Sequence, residues 1–181
     1  MYEQSQKQLP SIWGLVRTTF IILVVIVYLM MTLNTGDALW FWTTFEETPS
    51  AIKMYCYGEE KDLTPGSKEF TDLTAIFNEN FSGYKNWDSL SMSENTWADY
   101  QVNDQFATLV MEYPQPVRVH SIYKYFSHVD RLVIPLDGRH SQSLAVFGMN
   151  GDIPGSGAMH IRTLTPLINF VNTAGVCQIT Q

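Results

Sequence analysis

All four histidines of this chain, His120, His128, His140 and His160, fall in its C-terminal half, and a shared metal ion is the first chemistry such clustering suggests. Their intervals of 8, 12 and 20 residues fit no zinc framework, so strand geometry would have to bring them together. The expectation is therefore surface or hydrogen-bonded imidazoles. Asp137, His140 and Ser141 hold the residue types of a nucleophilic triad in one short turn. Base and nucleophile normally come from separate elements, because adjacent residues rarely reach the mutual geometry required. Gly151 to Gly157, GDIPGSG, offers backbone N–H groups to an anion, yet it lacks the lysine and the strand-to-helix setting of a phosphate-binding loop. It reads as a flexible turn.

The chain contains no GxxxxGK[ST], HExxH, GxSxG or GxGxxG pattern, which disfavours phosphoryl transfer and zinc proteolysis of the usual kinds. No catalytic residue, metal ligand or cofactor is assigned. Asn80-Phe81-Ser82 is a formal glycosylation acceptor, relevant only in a eukaryotic secretory pathway. Cys56 and Cys177 are the only two cysteines, and their spacing excludes a CxxC redox or zinc pair. In an oxidising compartment they can bond, and since AIKMYCY and VCQIT both read as strands, the bond would tie the first strand to the last. Two buried free thiols are the alternative.

These residues must be positioned by elements, and the first is a membrane span. Phe20 to Leu33, FIILVVIVYLMMTL, carries no charge, and extension back to Ile12 gives 22 residues, enough to cross a hydrocarbon core of about 30 Å. Arg17 near its inner end can carry its guanidinium up to the headgroups. Lys7 and Arg17 precede the span, whereas Asp37, Glu46 and Glu47 follow it, so the N terminus is expected inside. The cluster Leu39-Trp40-Phe41-Trp42 then reads as an interfacial belt. Cleavage near Gly36 and Ala38, as in a signal peptide, is the rival to an anchor. The expected organisation is a cytoplasmic tail (1–17), an overlapping signal anchor (12–33), a juxtamembrane aromatic segment (34–50) and an extracytoplasmic domain (51–181).

Within the outer part, Ala51 to Tyr57 alternates as a strand with Ile52, Met54 and Cys56 on one face. Gly58 ends it. Thr64 as a cap and Pro65 in the first turn predict a helix that runs to about Asn80, with Phe70, Leu73, Ile76, Phe77 and Phe81 on its apolar face. The polar stretch from Ser82 to Gln105 is expected to hide strands in part. Phe106 to Tyr113 is a strand broken by Pro114-Gln115-Pro116, with Val117 to Tyr123 continuing the sheet. Arg131 to Leu136 and Leu144 to Gly148 flank a hairpin at Asp137-Gly138-Arg139-His140, and Asn150-Gly151 marks another turn, with a short strand around Met159 to Arg162. Thr165-Pro166 opens a second helix that Gly175 ends. This order describes an α+β domain with a mostly antiparallel sheet and two helices.

Met111-Glu112-Tyr113-Pro114-Gln115-Pro116-Val117, followed by Asp130-Arg131-Leu132-Val133-Ile134-Pro135-Leu136, resembles the N-terminal extracytoplasmic part of YycH-type proteins. Those are bacterial single-span regulators of a cell-wall sensor histidine kinase. The resemblance covers about a quarter of the chain, rests on hydrophobic patterns and implies no catalytic residues.

Charge narrows the partners further. Residues 34–112 carry 4 basic and 14 acidic side chains, and residues 113–181 carry 5 and 3. So acidic a surface argues against nucleic acid or an anionic membrane as the main partner. The expected partners are the bilayer, through the anchor, and a membrane or envelope protein. Tyr84, Trp87, Trp97 and Tyr100 are large apolar groups in a polar stretch and are the candidate contact residues, although ordinary core is the competing reading. The alternative function is a ligand-binding domain or enzyme with a site near the histidines.

Overall fold

The computed structural model describes residues 11–83 and 85–179; Lys7 and the rest of the tail before Ser11, Tyr84 and the last two residues lie outside the described residues. Helix α1 (Ile12–Thr35) is apolar on every side, which no soluble surface favours, and its side chains are almost all exposed. Its 24 residues extend about 36 Å. By length and composition it serves as an anchor or as a signal helix. Gly36 caps it in the left-handed region, its N–H donating to Thr32 O.

Four helices and seven strands follow one another through the described chain. After α1 come β1 (Ala51–Cys56), β2 (Glu59–Leu63), α2 (Lys68–Phe81), β3 (Trp87–Asp88), α3 (Glu94–Val102) and β4 (Ala107–Val117). Then come β5 (Val129–Asp137), β6 (Ala145–Asn150), β7 (Ile153–His160) and α4 (Thr165–Thr173). The strands form one antiparallel sheet in the order β2-β1-β4-β5-β6-β7-β3. The α+β architecture is as the sequence predicts.

Both faces of the sheet are covered, which explains why β4 and β5 are apolar at successive positions rather than at alternate ones. Ile52, Met54, Leu109, Met111, Leu132 and Ile134 point to one face, under Phe70, Leu73 and Phe77 of α2 and Leu167, Ile168 and Val171 of α4. Tyr55, Val110, Val133, Phe147 and Met149 point to the other, under Trp97 and Tyr100 of α3. Among the described residues the domain after α1 thus has three α-helices, not two.

Several local expectations are corrected. Tyr57 and Gly58, at φ 52° and 88°, form a two-residue turn into β2, a strand whose Glu59-Glu60-Lys61-Asp62 run hides it from any periodicity search. It survives as an edge because it needs only one partner, and Lys53 Nζ reaches Glu60 Oε1 at 2.9 Å across the pair. Helix α2 starts later than Thr64-Pro65: Ser67 is the cap, its Oγ accepting from Phe70 N, and Gly66 at φ 80° shapes the turn before it. The hidden element between 82 and 105 is mainly α3, capped by Ser93, with only two residues of strand. Pro114-Gln115-Pro116 does not end β4; the prolines occupy an irregularity of register between Glu112 and Val117, where the ladder asks for no N–H. Residues 118–123 leave the sheet. GDIPGSG is a turn followed by strand β7, and glycines there admit neighbouring backbone: a Cβ on Gly155 would meet Gly148 O. Cys177 follows α4 in extended chain outside the sheet.

Candidate functional site

The end of α1 is built into the folded domain rather than joined to it by free chain. Thr35, buried in the last turn, donates from Oγ1 to Met31 O at 2.8 Å and accepts from Asp37 N. Asp37 is buried as well; its Oδ1 accepts from Leu39 N at 2.9 Å and its Oδ2 lies 2.8 Å from His120 Nδ1. Arg118 Nη1 donates to Gly36 O at 2.7 Å, placing a cation at the negative end of the helix dipole. The next residues continue into the core. Phe45 N donates to Ser82 Oγ at 2.9 Å, and its ring meets Phe77, Phe81 and Tyr113 edge to face. Residues 36–45 are thus a collar between helix and domain.

A cavity of about 240 Å³ opens in this collar, lined by Trp40, Phe41, Thr43, Lys85, His120, Ser121 and Ile122. Lys85 is only 4% exposed. Its Nζ donates to Thr43 O and Gly83 O, both at 3.1 Å, and sits 4.9 Å from the centre of the Phe81 ring. No carboxylate pairs with it among the described residues. Burial, with a smaller contribution from the Arg162 guanidinium, lowers its pKa to about 8. Trp40 is half-buried, and its Nε1 is inaccessible and without an acceptor among the described residues. Phe41 in its wall and the adjacent Trp42 are more than half exposed.

The expected contact residues separate in space. Trp97 and Tyr100 are 7% and 1% exposed, so they are core and not surface anchors: α3 turns both onto the sheet. Tyr84 lies outside the described residues. Trp87 is half-buried on the sheet edge and stacks on Tyr125, centroids 4.7 Å apart, and on Tyr123 at 5.7 Å. Tyr125, 44% exposed, and Ile122 extend this patch from the cavity wall. Trp40, Phe41 and Trp42 stand beside the end of α1, as a belt would.

The histidines do not converge. His120 pairs with Asp37; His140 Nδ1 lies 2.6 Å from Tyr100 Oη; His160 spans Ser143 O and Asp88 Oδ2; exposed His128 meets Ser127. No group of three His, Cys, Asp or Glu residues able to hold a metal occurs among the described residues. Ser141 Oγ donates to Gly138 O and the His140 ring turns to Tyr100, so Asp137, His140 and Ser141 do not assemble as a triad. Asp137 Oδ2 accepts from Tyr57 Oη at 2.7 Å. A cavity of about 390 Å³ has Asp137 and Ser141 in its wall, both already hydrogen-bonded, to Tyr57 and to Gly138 O.

Cys56 and Cys177 form a disulfide with Cα atoms 5.7 Å apart. The bond ties β1 to the extended chain after α4, and it is consistent with an extracytoplasmic domain. Comparison with protein-family models, curated proteins and solved structures finds no match to the chain. Sequence reasoning missed Lys85, Arg118 and His120 as a set. The available signal was slight: Lys85 is the only basic residue between Lys68 and Arg118, and it stands next to Tyr84 and two residues before Trp87.

Proposed function

We propose that the chain is a single-span anchored module with its N terminus in the cytoplasm and its folded domain outside, acting by contact with another membrane or envelope protein. One observation carries the anchor reading over the signal reading. Cleavage beyond Ala38 would remove Gly36 and Asp37, leaving Arg118 without the helix carbonyl and His120 without its carboxylate. A domain that uses its span to complete its own hydrogen bonding is suited to keep it.

The same collar makes the span and the domain move together, which a regulatory module acting on a neighbouring membrane protein requires. The contact surface is placed at the stacked Trp87, Tyr123 and Tyr125, because aromatic rings that are rigid and partly exposed make good interface anchors. This is the role the YycH-type resemblance implies. Intact mass of protein from the membrane fraction tests the anchor: α1 should be retained, and a soluble product shortened near Ala38 would establish a signal peptide instead. A reporter active only in the cytoplasm, fused after Gln181, should be silent. For the partner, Tyr125→Ala should reduce in-membrane crosslinking to neighbouring proteins with the melting temperature unchanged; crosslinking that persists places the contact elsewhere.

A further inference from the structure

We propose that the collar cavity binds the phosphodiester headgroup of a phospholipid from the leaflet in which α1 ends, with Lys85 as the donor. The proposal rests on the anchored reading and adds a ligand to it. An ammonium has three donors, and Lys85 uses two on Thr43 O and Gly83 O; the third has no acceptor among the described residues. Burying a cation with no counter-ion is costly, and the neighbouring charge, Arg162, is of the same sign. An anionic acceptor in the cavity would pair the ammonium.

Its source follows from position. The cavity begins four residues beyond Gly36, where the span ends, and is flanked by Phe41 and Trp42, residue types that settle at headgroup depth. Its volume, about 240 Å³, is on the scale of a polar headgroup rather than of a pair of acyl chains. Lipid phosphates are held at this depth at very high local concentration, so a modest intrinsic affinity suffices for occupancy.

The test is native mass spectrometry of the full-length protein released from micelles containing phosphatidylglycerol, diacylglycerol or inorganic phosphate. Wild type should retain one phosphatidylglycerol. Lys85→Met should retain about tenfold less or lower, the ratio expected for loss of a charge-assisted hydrogen bond, and Lys85→Arg should restore it. Equal retention of diacylglycerol, competition by inorganic phosphate at equal concentration, or retention unchanged in Lys85→Met would overturn the proposal. Alkaline extraction of membranes, run in parallel, reports the anchor alone: protein that stays in the pellet while lipid retention fails defeats the lipid site and spares the anchored reading.

Discussion

Trp97 and Trp87 are ten positions apart and have opposite roles, which composition alone conceals. Trp97 packs edge to face on Tyr55, centroids 6.1 Å apart, with the Arg131 guanidinium 5.7 Å above its ring. Trp97→Ala should cost about 3–5 kcal/mol, and Trp87→Ala distinctly less, in denaturant unfolding of the two variants. Equal losses would mean that the Trp87 stack is also structural core. Lys85 supplies a second prediction, with a definite sign. Its folded pKa is lowered to about 8 from 10.5, so below about 8 it is charged in both states and the burial penalty is felt in full. Between those values the folded state loses its proton first and the penalty fades. The melting temperature of the wild type relative to Lys85→Met should therefore rise as pH passes from 8 to 10.5; a flat difference would mean that the ammonium is well hydrated. Neither role was legible in sequence. A lone lysine beside aromatic residues looks like any solvated charge until the chain is folded around it.

At the scale of elements, legibility follows how much of the local pattern tertiary packing overrides. Helices α2 and α4 show their periodicities because each buries one face, and strand β1 shows its alternation because Ile52 and Met54 are fully buried between the half-buried Ala51 and Lys53. Helix α3 does not: Thr96, Trp97 and Tyr100 are its buried side chains, too few in nine residues to outweigh a polar composition. Its signal was Ser93, whose Oγ accepts from Thr96 N as a cap. Strand β2 was invisible because a charged edge strand has no apolar face, and the same charges discourage pairing with a further strand. The junction of β3 with β7 depends on Gly157, at φ 79°, where a Cβ would collide with Trp87 Nε1 and Asp88 O. Gly157→Ala should thus unpair β3 and free Trp87 from Tyr125. A red-shifted tryptophan emission with a cooperative melt retained would report it, and an unaltered spectrum would show that the strands can part without consequence.

For the molecule as a whole, the fold class, the apolar helix and the cysteine pair were readable, whereas the collar was not, because it joins residues about 80 positions apart through single polar contacts. The disulfide encloses nearly the entire outer domain, with a separation of 121 residues. Ideal-chain loop closure gives about 5 kcal/mol for such a bond, and native disulfides typically contribute 2–4 kcal/mol. The double variant Cys56→Ser, Cys177→Ser should melt roughly 4–16 °C lower, and alkylation before reduction should find no free thiol in the wild type. Ready alkylation of both thiols in native protein would contradict the bond. That separation also imposes an order in time. Synthesis runs from the N terminus at about 5–20 residues per second, so Cys56 waits roughly 6–24 s for its partner to be made. During that interval it is an unpaired thiol on a nascent chain, exposed to every other oxidant and cysteine nearby. Oxidation of the correct pair therefore records that synthesis has passed α4.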